Sequence, residues 1–189
     1  MSQIVVISGK SGHGKDTFAA LMKQNLPNKN ILIIHFADPV KWMCREFFNW
    51  NGDKITPQGR GLLQYVGTDL MRAYDENYWC RMIAEFLAAV EQRNLFDWIF
   101  IPDARFPNEV ETIQEYCSNV TTVRVKRLNK DGSLYKNPNL TEQQHNHPSE
   151  VSLDNYNFDY IIENSEDIRQ LIESAKLLIE ELEKKNELV

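Results

Sequence analysis

Ile4-Val5-Val6-Ile7-Ser8-Gly9-Lys10-Ser11-Gly12-His13-Gly14-Lys15-Asp16-Thr17 decides the fold. The unbroken β-branched run at its start reads as a strand covered on both faces. Phe18, Leu21 and Met22 then follow at helical spacing. Strand, glycine-rich turn and helix in that order is the setting a phosphate-binding loop requires. Glycines let the main chain curl around an anion. The N–H groups at the helix start, aided by the helix dipole, bind phosphate oxygens, and a lysine adds a point charge for the β- and γ-phosphates. Gly9, Gly12, His13, Gly14, Lys15, Asp16 and Thr17 are therefore the candidate contacts to a bound nucleoside triphosphate, with ATP and Mg²⁺ as the expected cofactors. A turn that binds nothing would not need Gly9, Gly12, Gly14 and Lys15 together. Asp16 stands where the general pattern has Ser or Thr, so Thr17 becomes the candidate for the metal. His13 reads more simply as a loop filler than as a catalyst.

Working outward, Ile31–Ile34, Trp98–Ile101, Val120–Val125 and Tyr160–Ile162 are further apolar runs, making five predicted strands. Helical spacing recurs at Trp79, Met82, Ile83, Phe86, Leu87 and Val90, at Val110, Ile113 and Cys117, and from Ile168 to Leu182. Alternating strands and helices imply the three-layer α/β fold of the P-loop NTPases, a five-stranded parallel sheet with helices on both faces. Two excursions interrupt the alternation. About sixty residues separate the second and third strands, too many for a simple crossover. Residues 126–150 are polar and broken by Gly132, Pro138 and Pro148. The expectation is one domain over 1–189, with 50–92 a helical acceptor-binding insertion and 126–150 a lid-like segment.

Composition narrows the classes of partner. In 189 residues, 21 Lys+Arg stand against 27 Asp+Glu, giving −6 at pH 7. Such a surface repels a nucleic-acid polyanion, so an anionic ligand has to meet a local positive site. Cys44, Cys80 and Cys117 are odd in number and lack metal-ligand spacing, which fits buried thiols in a reducing compartment. No apolar run approaches the roughly 20 residues of a membrane span. The expected location is the cytoplasm, with no membrane partner and no direct nucleic-acid binding.

Acids and arginines near the predicted strand ends supply the candidate chemistry. Asp38 follows the second strand and could orient an attacking phosphate oxygen or a metal-bound water. It could equally cap a helix that has Pro39 in its first turn. Asp103 follows the third strand, where an acid can hold Mg²⁺ directly or through water. Phosphoryl transfer depends on alignment and on neutralising charge, so several cations must meet at one point. Lys15, Arg72, Arg105 and Arg127 are the candidates, and a bidentate guanidinium favours the arginines as clamps. Arg127 fits a solvent-facing salt bridge as well.

Five blocks in order carry a resemblance: Gly9 to Thr17, Phe36 to Lys41, Leu62 to Asp69 with Arg72 and Trp79, Asp103 to Glu109, and His147 to Glu150. Together they resemble the phage-type deoxynucleoside monophosphate kinases. A threonine placed one residue after the usual position is similar to the loops of nucleotide monophosphate kinases such as adenylate kinase. The resemblance implies a P-loop kinase core with a monophosphate-binding insertion and a lid, MgATP as donor and a deoxynucleoside monophosphate as acceptor. It places Lys15 and Thr17 with ATP and metal, and Asp38, Gln64, Thr68, Arg72 and Trp79 around the acceptor. Lys41, Arg105 and Glu150 lie in the same blocks and complete the candidate acceptor set. Trp79 also suits a purely apolar core, and His147, Ser149 and Glu150 suit either a closing lid or a turn. Asp69 stands where that family often has Glu, and Ala104 where it often has Val. The resemblance also allows a homodimer. Other small-molecule P-loop kinases, acting on phosphomevalonate or dephospho-coenzyme A, would share Lys15, Asp103 and the arginines; a nucleotide-binding module without turnover would not need the acids.

Overall fold

The computed structural model describes residues 1–53, 56–165 and 167–187; Lys54 and Ile55, within the expected insertion, lie outside it, as do Glu166, Leu188 and Val189. Strands β1 (Gln3–Ser8), β2 (Ile31–Ile33), β3 (Trp98–Ala104), β4 (Val120–Arg127) and β5 (Tyr160–Asn164) form one sheet in the order β2-β3-β1-β4-β5. Every pairing is parallel. β1 is central and buried along its length, which is why its sequence is apolar without alternation.

The pleat sends alternate β1 side chains to opposite layers. Val5 and Ile7 join Phe18 and Met22 of α1 (Lys15–Gln24) and Leu171, Ala175 and Leu178 of α9 (Ile168–Glu187) on one face. Ile4 and Val6 join Cys80, Ile83, Ala84 and Leu87 of α5 (Tyr78–Gln92) and Val110 and Ile113 of α6 (Pro107–Tyr116) on the other. Met82 and Phe86, read from spacing as part of the α5 core stripe, are 38% and 46% exposed. The stripe that reaches the sheet runs through Cys80, Ile83, Ala84, Leu87 and Val90, and the two larger residues flank it. All three cysteines are buried.

Between β2 and α5 lie α2 (Ala37–Phe48), α3 (Pro57–Gln64), a π-helical stretch (Tyr65–Leu70) and α4 (Met71–Tyr74). The last three run on without interruption as one irregular helix. These elements enclose a small core of their own: Val40, Cys44, Trp50, Val66 and Trp79, flanked by Leu62, Leu63 and Met71. Trp79 is 5% exposed, and its Nε1–H donates to the Gly67 carbonyl at 2.9 Å, so the indole is a core member with its polar edge satisfied. Asp38 does not cap α2. The helix begins at Ala37, and Asp38 lies in its first turn, accepting the backbone N–H of His35 at 2.9 Å.

After β4 the chain makes a long excursion holding only two single-turn helices, α7 (Glu142–His145) and α8 (Pro148–Val151), before it re-enters the sheet. Asn137, Arg127, Glu150 and Asp154, in or beside this excursion, all bond to residues of the glycine loop. No helix among the described residues is long and apolar enough to cross a membrane.

Candidate active site

The loop after β1 owes its curl to two glycines for different reasons. At Gly9 an added Cβ would stand 2.5 Å from the Val125 carbonyl oxygen, so β4 leaves no room for a side chain. At Gly14 φ is 93°, a conformation side chains resist, and an added Cβ would also meet Asn164 Nδ2 at 2.8 Å. That amide donates to the His13 carbonyl at 3.1 Å and ties β5 to the loop. α1 begins at once with Lys15, so its first N–H groups open toward the loop.

His13 is 1% exposed, and its ring faces the protein. The N–H of Arg127 donates to Nδ1 at 3.2 Å. The same nitrogen lies 3.3 Å from the Val125 carbonyl, and Nε2 lies 3.1 Å from the Tyr135 carbonyl. Burial is the largest influence on this imidazole and lowers its pKa, keeping it neutral. The His13 side chain is a pillar between β4 and the excursion. Lys15 is 6% exposed, and its Nζ donates to the Lys10 carbonyl at 3.1 Å across the loop. Burial, followed by the charge of Arg105, pulls its pKa down to about 8. An anion at the loop would relieve both effects, since each penalises the charged ammonium.

A second cluster lies where β2 and β3 end. Both oxygens of Asp103 accept main-chain N–H groups, from Phe36 at 2.9 Å and Ala37 at 3.1 Å, and so anchor the turn into α2. Burial raises the Asp103 pKa against the influence of those two bonds. His35 bridges Asp16 Oδ1 at 3.1 Å and Asp38 Oδ2 at 3.2 Å, and Lys41 Nζ reaches Asp38 Oδ1 at 2.7 Å. Asp16, His35, Asp38 and Lys41 are thus one chain of charges from the start of α1 to α2. Its hydrogen bond with Asp16 is the main reason the His35 pKa is raised.

The third cluster is the turn from β3 into α6. Arg105 Nη1 donates to Glu150 Oε1 at 2.7 Å and lies 3.4 Å from the carbonyls of Gly9 and Ser149. The other Glu150 oxygen accepts the Ser11 N–H of the loop at 2.8 Å. Glu109 Oε2 accepts the N–H groups of Arg105 at 2.6 Å and Phe106 at 3.0 Å, while Oε1 faces Arg72 Nη1 at 3.5 Å. The Arg72 guanidinium lies 4.2 Å from the centroid of the Phe106 ring. Loop lysine, core arginine and insertion arginine are therefore linked through neighbouring residues.

The sequence pattern of the deoxynucleotide monophosphate kinases matches residues 51–175. The chain belongs to that family. It is 26% identical to a putative deoxynucleotide monophosphate kinase of Acanthamoeba polyphaga mimivirus, over 88% of this chain and 91% of the viral one. It is also 26% identical to a phosphomevalonate kinase of Drosophila melanogaster, over 97% and 98% of the two chains. Dephospho-CoA kinase from Campylobacter jejuni shares its fold with a TM-score of 0.52, at 11% identity and over 96% and 97% of the two chains. P-loop kinases as a class use ATP, and the loop described above is the part of this family member suited to it.

The other expected residues of this kinase fall as follows. Gln64 and Thr68 are exposed, and with Arg72 they follow at four-residue intervals along the irregular helix. Arg127 stacks on Tyr135, 4.0 Å from its ring centroid, with Nη1 3.3 Å from the Gly12 carbonyl. It thus faces the loop from the side of the excursion. Thr17 is exposed in the first turn of α1, beside an exposed Asp16. Among the described residues no three His, Cys, Asp or Glu side chains converge as a metal cage. Mg²⁺ in nucleotide sites needs none, because phosphates and water supply most of its ligands. The Thr17 hydroxyl and the spare lone pairs of Asp103 fit that pattern.

Sequence reasoning missed His35 and Glu109 as site members, and the Asp154 carboxylate shared by Lys10 at 2.7 Å and Arg124 at 2.8 Å. Glu109 had a signal: an acid three residues into a helix opened by Pro107 commonly reaches back to main-chain donors. His35 had a weaker one, its place just beyond a strand at the ligand-binding edge of the sheet.

Proposed function

We propose that the chain transfers the γ-phosphoryl group of MgATP to a deoxynucleoside monophosphate, giving the diphosphate. What carries the reading is the linkage of Lys15, Arg105 and Arg72 at one edge of the sheet, in a member of a family defined by that reaction class. In this scheme the loop amides and Lys15 hold the triphosphate, while Thr17 and Asp103 place Mg²⁺, which neutralises charge on the phosphates when bound. Arg105 and Arg72 grip the acceptor phosphate or the transferring group, and Arg127 braces the donor side. Asp38 and Lys41 steer the acceptor, and Gln64 and Thr68 offer its base and sugar polar partners. Trp79 shapes the acceptor pocket from the core beneath. Residues 50–92 then act as the acceptor-binding insertion, and 126–150, with Glu150 at its end, as a lid that keeps water from the transfer.

A second reading rests on one observation, the match to phosphomevalonate kinase along almost the whole chain. The deciding experiment offers γ-labelled ATP with the four common deoxynucleoside monophosphates, their ribose counterparts and phosphomevalonate. Label in a deoxynucleoside diphosphate supports the first reading. Label only in a non-nucleotide product replaces it with the second.

A further inference from the structure

We propose that Glu109 is a positioning residue that sets Arg105 and Arg72 as a pair, so that a core arginine and an insertion arginine address one acceptor phosphate together. The inference rests on the acceptor reading above and deepens it by naming what orients the clamp.

Arg105 and Arg72 belong to different parts of the chain. One follows β3, and the other sits in the short helix α4. A long flexible side chain loses rotamer freedom when it grips a phosphate, and a site that has already fixed it binds more tightly. Glu109 does this for both arginines at once. Its Oε2 takes the consecutive N–H groups of Arg105 and Phe106 and freezes the turn from which Arg105 projects. Its Oε1 faces Arg72 Nη1, and the Phe106 ring, fixed by the same carboxylate, is the platform beneath the Arg72 guanidinium. Glu109 is 8% exposed, so water competes little for these contacts.

The arrangement leaves the arginines usable. Among the described residues Glu109 is the only acid within 4 Å of Arg72, and it takes one edge of the guanidinium. Among the described residues Arg105 likewise spends only Nη1, on Glu150, Gly9 and Ser149. Asn108, one residue before Glu109, fastens the same turn to the insertion, donating to Asn77 Oδ1 at 2.6 Å and the Glu76 carbonyl at 3.2 Å. The β3–α6 turn is therefore a joint between core and insertion, and Glu109 is the part of it that carries charge to the site.

Glu109→Gln isolates the role. The amide oxygen keeps the two main-chain bonds, while an NH₂ replaces the oxygen that faces Arg72. KM for the deoxynucleoside monophosphate should rise about tenfold, the low end of what one hydrogen bond to a charged group contributes, and KM for ATP should stay within twofold. In an Arg72→Ala background the same substitution should add nothing, because Glu109 acts through Arg72. Equal rises in both KM values, or fully additive effects in the double variant, overturn the proposal. If Glu109→Gln does not fold by circular dichroism, Glu109→Asp keeps the charge but shortens the reach. It should give the same selective rise in smaller degree, and no rise refutes the idea.

If the parent phosphorylates no monophosphate, the acceptor reading fails, but the positioning claim still has its own readout. The side-chain ¹⁵N signals of Arg72, assigned by their loss in Arg72→Lys, should be separately resolved in the parent and merge in Glu109→Gln. Inorganic phosphate should shift them in the parent. Signals unchanged by the substitution, or untouched by phosphate, would remove Glu109 from this role.

Discussion

Replacing Glu109 by Gln should raise stability relative to the parent as pH climbs through neutrality, while loosening the grip on the acceptor. Burial is the largest influence on this carboxyl and pushes its pKa up to about 7, against an ordinary value of 4.5. The folded chain therefore binds more protons than the unfolded chain between those two values, and stability falls as pH rises through that window. Almost none of the cost is present below 4.5, and all of it is present above 7. Each pKa unit corresponds to about 1.4 kcal/mol. Integrating the proton uptake between pH 5 and pH 8 gives about 2–3 kcal/mol of stability withheld by the ionised acid. Gln carries no titrating proton, so the stability of the variant minus that of the parent should grow by about 2–3 kcal/mol across that range. Urea unfolding at several pH values measures the difference, provided the m-values of the two proteins agree. A difference that stays flat to within about 1 kcal/mol refutes the argument, because it would mean that Glu109 titrates as it does in the open chain.

Lys15→Ala should lower kcat by about 10²–10³, the loss expected when one preorganised charge at the transferring group is removed; a turnover within twofold of the parent contradicts its placement. Asp103→Asn should raise the Mg²⁺ concentration needed for half-maximal rate, and an unchanged Mg²⁺ titration would confine Asp103 to anchoring the turn into α2. His35→Asn should destabilise the chain at pH 5.5 and have little effect at pH 9. Because the folded pKa of His35 is raised, its ion pairs stabilise fully below the ordinary histidine value and fade as pH passes the folded one. Thermal unfolding at the two pH values decides it, and equal losses at both would deny His35 its charge. Trp79→Phe should cost about 1–3 kcal/mol in urea unfolding through the unpartnered Gly67 carbonyl; a neutral result would show that this bond contributes nothing.

Much of the fold was legible because its signals are local. The Ile4–Ile7 run, the three glycines and Lys15 specify strand, turn and helix within fourteen residues, and burial on both faces follows from unbroken apolarity. Asp103 and Arg105 could be singled out because a parallel sheet delivers successive strand ends to one edge. What stayed hidden depends on tertiary neighbours. Asp38 looked like a cap because Pro39 follows it, yet its carboxylate is drawn back to the His35 N–H and sideways to Lys41. Glu150 could be assigned to a lid or a turn, but no local pattern reveals that it joins Ser11 to Arg105 across more than forty residues of chain. Glu109 too is defined by tertiary neighbours, since the fold surrounds it with the donors of Arg105, Phe106 and Arg72.

The π-helical stretch from Tyr65 to Leu70 sets an angle as well as a path. Each residue of an α-helix advances the azimuth by about 100°. Rewinding this stretch to ordinary α geometry with its length unchanged would swing everything downstream by roughly that amount. Arg72 begins two residues past its end and would be carried off the Phe106 ring. The widened turn works as a phase adjuster for one guanidinium: it absorbs an extra residue while keeping Arg72 over the Phe106 ring.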